Sequence, residues 1–421
     1  MFGVTAAAAL VVAACGGGGD GGEDGPVTLT VTTWDAAEEE ARDPYLQLVE
    51  QFEEEHPDIT IEQEPIPFSD IEQQLLQRVQ AGNAPDVTQL AGNYTFNLNA
   101  AGALEPLDEL AGDEYLDQIV PEVRELVTVE DELISAPWAL QPVGFWYNKD
   151  ILAEAGLDPE SPPATIDELL QQLEIISQEM PDVIPLGIDS TNRVFGLDVN
   201  WPWMTTFGAQ PIADGAAAVN TPEMAEYLEF MRTLAQEGYT EVNQPIGYYR
   251  PLAADGSVAF VWDQPIMQAV IQQTSGIEDE AFHEQWGVTT LPTGASGEPA
   301  SVAQDHQFGI LASSENKEAA WTFVEWMTRS DTAMEHVVAN KGALPPISEP
   351  TGTAAEMIDQ SPALQAWSDE VIPTLVGLPW GPDYGSASEP IMVGVQQMMT
   401  SDRAVQDVAD EMQGQLESEL Q

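Results

Sequence analysis

One cysteine, Cys15, stands in a chain of 421 residues. No intramolecular disulfide can form, so the fold does not depend on an oxidising compartment, and a multi-cysteine zinc site is excluded. Basic residues are nearly as scarce. Lys and Arg total 11 against 72 acids, a formal net charge of −61, and lysine occurs only at Lys149, Lys317 and Lys341. That balance argues against nucleic-acid phosphates and anionic lipid headgroups as partners. The chain also lacks an HExxH, a GxSxG and a Walker loop, and its four histidines are dispersed in sequence, which argues against an enzyme and against a metal or cofactor site. Beyond the N-terminal segment no apolar run is long enough to cross a bilayer.

What is present is a 43% apolar content, enough for two cores, on a chain longer than one compact core usually holds. The acids are spread over the whole length and predict a solvated acidic surface. Self-repulsion of such a surface is relieved as salt shortens the Debye length, so a saline habitat is expected.

Residues Phe2 to Ala14 are small or apolar apart from Thr5, as in the hydrophobic region of a signal peptide, and they lead into Val12-Ala13-Ala14-Cys15. This stretch resembles a bacterial lipobox, which implies cleavage before Cys15 and lipidation of its sulfur. Residues 16–25, GGGGDGGEDG, cannot bury apolar area and read as a flexible leash. Residues 1–14 are thus expected to be a signal peptide and 15–26 a lipidated tether, holding the mature chain at the outer face of the cell membrane.

Ordered structure is predicted from Pro26. Val27 to Thr33 alternates as a strand. A helix follows with Asp43 as N-cap, Pro44 first and Tyr45, Leu48, Val49 and Phe52 on one face. Ile59 to Glu62 and Asp86 to Leu90 read as strands around a helix marked by Ile71, Leu75, Leu76 and Val79 and closed by Gly82. Further on, Thr165 to Glu168 has capping-box spacing, and Thr221-Pro222 opens a helix that Gly238 ends. Alternating strands and helices imply an open α/β layer whose ligands gather at the carboxyl ends of the strands.

Several segments in order, among them TVTTWDA (30–36), VEQFEEEHPDITIE (49–62), APWALQPVGFWYNKDILAEAGL (136–157), VAFVWDQP (258–265) and KGALPP (341–346), resemble the solute-binding proteins of ABC importers in the carbohydrate-binding group that includes maltodextrin-binding protein. The resemblance implies a two-lobe periplasmic-binding-protein-like α/β fold with mainly parallel sheets flanked by helices and a hinge between lobes. It implies lobe one from 27–141 plus 288–327 and lobe two from 144–286 plus 330–421, with crossovers near Gln141 to Phe145, Trp286 to Val288 and Met327 to Ser330. The implied partners are a mono- or oligosaccharide and the importer's transmembrane subunits, with the chain itself a monomer.

A carbohydrate site needs flat aromatic surface beside carboxylates and amides. The expected ligand contacts are Trp34, Asp35, Asn93, Trp138, Gln141, Trp201, Trp262, Asp263, Gln264, Asp305, Trp380 and Tyr384, with Trp262 the foremost in lobe two. Trp146, Tyr147, Trp203, Trp321 and Trp326 are assigned to packing, and His306 to structure. A rival ligand is an amine such as a polyamine, which would require several cleft carboxylates around an aromatic box; Asp35, Asp263 and Asp305 leave it open.

Overall fold

The computed structural model describes residues 25–213, 215–379 and 384–420. Val27–Thr33 forms β1, with Leu29 and Val31 turned into the core. β2 (Ile59–Pro65) pairs with it in parallel, Val27 opposite Ile59 through Thr33 opposite Pro65. β3 (Val87–Ala91), buried along its whole length, lies parallel on the other side of β1 with Val31 opposite Val87. The crossovers are α1 (Glu39–Glu55) and α2 (Phe68–Ala81). Gly82, at φ 72°, ends α2 in the left-handed conformation that glycine adopts at least cost.

The start of α1 departs from expectation. The helix begins at Glu39 and carries Pro44 inside it, so Asp43 is not the cap. The coil is wound earlier because the N–H groups of Ala37 and Glu38 both reach the Trp34 carbonyl, and because the Arg42 guanidinium donates to the Ala36 and Ala37 carbonyls at 3.0 and 2.8 Å. Pro44, the sixth residue of the helix, has no N–H to give to the carbonyl four residues back, so the start of α1 is held by the contacts just named and not by that bond.

The remaining main strands are β4 (Ala136–Pro142), β5 (Gly144–Asn148), β6 (Ile184–Gly187), β7 (Val258–Asp263), β8 (Trp286–Thr289) and β9 (Ala303–Ile310). They complete a five-stranded sheet, β2-β1-β3-β9-β4, and form a four-stranded one, β8-β5-β7-β6. Both sheets are mixed rather than mainly parallel. Within each, one strand is reversed, β9 against β3 and β4, and β5 against β7 and β8. These two strands enter directly from the other lobe, so they start at the edge where their neighbours end.

Around the second sheet lie α3 (Ile166–Glu179), α4 (Val194–Thr206), α5 (Pro222–Gln236) and α6 (Ile246–Ala254). Thr165 caps α3 by accepting from the Glu168 N–H at 3.2 Å, and Thr221 caps α5 by accepting from Met224 at the same distance. The chain then adds α7 (Lys317–Arg329) and α8 (Asp331–Lys341) to the first lobe and α9 (Tyr384–Thr400) and α10 (Val405–Glu419) to the second. Trp321 and Trp326 are buried on α7, as their helical spacing predicts. Among the described residues no helix is long and apolar enough to cross a membrane.

The chain crosses between lobes at Val143, where β4 gives way to β5. The return expected at Trp286 to Val288 comes later, because those residues are β8 and pair along β5, Trp286 opposite Asn148 and Thr289 opposite Phe145. The exit expected at Met327 to Ser330 is also later. Ser330 caps α8, which packs on α1 and β4, and reciprocal bonds of 2.8 and 2.9 Å between Leu140 and Leu344 keep the next segment on the first lobe. The chain then lays Trp367 on Trp146 at 5.7 Å and passes the hinge at Thr374 to Val376 on its way to α9.

The three crossing segments are tied at one place. Val143 N–H donates to the Val302 carbonyl at 2.9 Å, and Ser301 N–H donates to the Thr374 carbonyl at 2.8 Å. Val376 N–H returns to the Ser301 carbonyl at 2.8 Å, and the Ser301 hydroxyl donates to the Val143 carbonyl at 2.5 Å. Gly144 is required beside this knot, since a Cβ there would stand 2.5 Å from the Trp367 ring.

Candidate functional site

The carboxyl ends of β1 and β3 bring Thr33, Trp34 and Asp35 against the segment that begins at Gly92. Trp34 is buried, edge-on to Phe68 at 5.2 Å and to His306 at 5.1 Å. Asp35 is 2% exposed, and both its oxygens are engaged. Oδ1 accepts from Gln89 Nε2 at 3.1 Å, and Oδ2 takes the Lys341 ammonium arriving from the end of α8. Burial alone would push the Asp35 carboxyl up; the Lys341 charge and the hydrogen bonds from Lys341 and Gln89 overcome it and hold the group below its ordinary value.

Lys341 is itself nearly enclosed and lies 4.6 Å from the Trp138 ring centroid, a cation–π contact. On α8 one turn earlier, His336 stacks on the same indole at 6.0 Å. Trp138 is therefore part of the lobe-one core, between Tyr45, Phe308, His336 and Lys341, and does not face the gap as expected. His306 is kept neutral: burial, then the Lys341 charge, lowers its pKa to about 3, and Asp35 offsets this only in part.

Asp305 heads β9 at the same edge. Its carboxylate accepts from Gln307 Nε2 and from the Gly92 N–H. Gln307 in turn accepts from Thr95 at 2.7 Å and Ser135 at 2.5 Å. Among the described residues no cation stands beside Asp305, and burial pushes it up to about 6. Gln141, half-buried, lies directly opposite Gln304 across the β4–β9 pair.

Lobe two repeats the arrangement. β7 ends in Trp-Asp, the pair that directly follows β1, and Asp263 is gripped bidentately by Arg250 of α6, both bonds at 2.8 Å. Asp263 Oδ1 also accepts from the Gln264 N–H at 2.8 Å, while the Gln264 carbonyl accepts from Trp146. Trp262, the contact ranked foremost, is fully buried, with its indole N–H donated to the Val199 carbonyl at 2.7 Å and Trp203 edge-on at 6.0 Å. It belongs to the core. An alternating β-strand places residue 262 on the layer behind the sheet, which its motif does not reveal. Trp203 is core as expected; Trp201, 5% exposed, donates to the Gly377 carbonyl at 3.0 Å.

The structure thus gathers Trp34, Asp35 and Asp305 at one strand edge, Asp263 and Gln264 at the other, and Gln141 near the hinge. Cys15 and Trp380 lie outside the described residues, as do the side chains of Asn93 and Tyr384. Reasoning from sequence missed Lys341, Arg250, Gln89 and Phe68. With so few cations available, a lysine in KGALPP and an arginine in YYRP were the conspicuous signals. Among the described residues no cluster of His, Cys, Asp and Glu is arranged to hold a metal.

Two α/β lobes, joined by three crossings knotted at one point and presenting strand ends to each other, define a hinged two-lobe receptor fold. The chain belongs to the bacterial extracellular solute-binding protein family, whose model matches residues 36–334. It is 26% identical over 329 residues to the maltotriose-binding protein of Pyrococcus abyssi, covering 76% of this chain and 67% of that one. The same fold is found in the cyclic α-maltosyl-1,6-maltose binding protein of Arthrobacter globiformis, with a TM-score of 0.80 at 22% identity over 94% of this chain and 99% of that one. It recurs in the sugar-binding protein MalE of Xanthomonas citri, with a TM-score of 0.80 at 20% identity over 94% and 97%. Membership in this family places the chain outside the cytoplasm.

Proposed function

We propose that the chain is the substrate receptor of an ABC importer for a neutral mono- or oligosaccharide. The observation that carries this reading is the state of the carboxylates at the strand ends. Asp35 is neutralised by Lys341, Asp263 is forked by Arg250, and Asp305 is pushed toward its neutral form. An amine ligand requires several exposed, uncompensated carboxylates; Asp35 and Asp263 are already paired with cations, and Asp305 is buried and engaged by Gln307 and the Gly92 N–H, so among the described residues no such cluster stands at the edges. What remains at the edges is amide, hydroxyl and aromatic surface, suited to a polar uncharged ligand with apolar C–H faces. The maltotriose-binding relative and the maltosyl-maltose and MalE neighbours support a sugar over other neutral solutes.

In this reading closure is driven by the ligand's greater affinity for the shut state, and the closed form is presented to the importer. Attachment through a lipid on Cys15 and a saline habitat complete the proposal; the lone cysteine beside a glycine-rich leash and the net charge of −61 support them.

A thermal-shift screen with maltose, maltotriose, tagatose and spermidine tests the ligand class. A sugar at 100 times its Kd stabilises by ~2.7 kcal/mol. Silence from every sugar with a response to spermidine overturns the reading. Cys15→Ser should release the protein from cells into the medium, and Tm should rise from dilute buffer to molar salt.

A further inference from the structure

Arginine is scarce in this chain, and in most cases a carboxylate receives it: Arg78, Arg193, Arg232, Arg250 and Arg403 each pair with an acid. Arg329, the last residue of α7, has no such partner among the described residues. Its Nη1 donates to the Thr328 carbonyl at 2.9 Å, and its Cζ lies 3.9 Å from the centroid of the Tyr115 ring. Tyr115 is itself fixed, edge-on to Trp321 at 4.8 Å and with its hydroxyl 3.0 Å from that of Thr328. Among the described residues Nε and Nη2 of Arg329 meet no acceptor, although both are closed off from bulk water.

A desolvated cationic donor without an acceptor loses its hydration and gains nothing in exchange. Burial accordingly pulls the guanidinium below its ordinary pKa, and Tyr115 and Glu325 offset this only in part. With 72 acids in the chain a resident carboxylate would be the simplest counter-charge, yet none of the described ones pairs with Arg329.

Arg329 borders a cavity of about 450 Å³ between the helical segment Asp108–Gln118, the start of α8 and the loop from Ile347 to Thr351. Met334 and Ile347, both buried, form an apolar wall, beside which charges attract more strongly than at open surface. Ser348 and Gln118 bring a hydroxyl and an amide to the exposed rim, where Asp117 and Glu349 also stand. Those two acids discriminate by charge, because they oppose a divalent anion about twice as strongly as a monovalent one. A small turn of the Arg329 side chain about its Nη1 bond brings Nη2 to an anion in the cavity.

We propose that this cavity is a site for a small monovalent anion, chloride foremost, with the Arg329 guanidinium as its counter-charge. The site is apart from the strand ends, since α8, about 16 Å of helix, separates Arg329 from Lys341. The assignment therefore does not rest on the carbohydrate reading. To the general screening of a net charge of −61 it adds one specific anion whose binding stabilises the folded chain.

The test is the chloride NMR line width in the presence of the parent chain, Arg329→Gln and Ser348→Lys, joined to urea unfolding in sodium chloride and in sodium sulfate of equal ionic strength. The parent broadens the chloride line saturably, and Arg329→Gln loses most of that broadening. Ser348→Lys, which adds a cation on the exposed rim, binds chloride about threefold more tightly. Sodium acetate displaces the chloride, and sulfate does not. In unfolding, the stability of the parent minus that of Arg329→Gln grows with chloride and not with sulfate. Screening alone has the opposite sign, because salt weakens the attraction between Arg329 and the surrounding acids. A parent that gives no saturable broadening, parent-like chloride affinity in both variants, or a stability difference that falls alike in the two salts overturns the site. Displacement by sulfate as readily as by acetate overturns its assignment to a monovalent anion.

Discussion

Gln304 Nε2 donates to Asp198 Oδ2 at 2.8 Å, joining β9 of the first lobe to α4 of the second two residues beyond the hinge knot at Val302. A hydrogen bond to a carboxylate that spans the lobes stabilises the arrangement in which they stand together, by about 1 kcal/mol or more. Gln304→Leu should shift the ligand-free population toward a more open form. The expected result is a larger radius of gyration in X-ray scattering and a roughly fivefold weaker apparent affinity, since fewer molecules are binding-competent. An unchanged radius and Kd would show that the bond does not set the balance.

Trp262 decides between a cleft and a core reading of the VWDQ segment. Its indole is fully buried, and its N–H satisfies the Val199 carbonyl. Trp262→Ala should cost ~3–5 kcal/mol of stability, the range for emptying a large aromatic site. The Kd of the folded variant for maltotriose should stay within about twofold of the parent. A large loss of affinity at near-parent stability would return Trp262 to the ligand.

The contrast between Trp262 and Asp263 shows what was legible. Alternation, capping residues and glycine stops predicted β1, α2, α3 and α5, because local chemistry determines where such elements begin and end. The family segments placed Trp34, Asp35 and Asp263 at strand ends, where the structure has them. Which side of a strand faces ligand is set by the layer packed behind it, so Trp138 and Trp262 were misread. The crossings after β8 and α8 were misplaced for a related reason, since strand pairing and helix packing between distant segments decide them. Lys341 and Arg250 escaped because their partners lie 306 and 13 residues away and meet them only in the fold.

Lys341 is held against a carboxylate that has almost no access to water. Removing one member of a buried pair leaves an uncompensated charge, so Lys341→Met should destabilise by ~3–5 kcal/mol at pH 7. Asp35 is held below its ordinary value, so its contribution is fully present above that value and is lost as pH falls through the lowered one. The double variant Asp35→Asn with Lys341→Met should recover most of the loss in urea denaturation. Equal stability of the single variant and the parent at pH 7 would mean that Asp35 is neutral there.

Asp305 gives the opposite sign. Burial raises its carboxyl from 3.8 to about 6, so the folded chain holds this proton more tightly than the unfolded chain does. Stability from this group is greatest below pH 4, falls as pH rises toward 6 and is flat beyond, by up to about 3 kcal/mol. Asp305→Asn lacks that leg. Its amide must still meet the Gly92 N–H and Gln307 Nε2, which imposes a pH-independent offset of its own, so the slope and not the level is diagnostic. The difference in unfolding free energy, parent minus Asp305→Asn, should decline between pH 4 and pH 6 and then stay level. A difference constant across that range would mean that Asp305 titrates normally in the fold and that its burial is relieved by water.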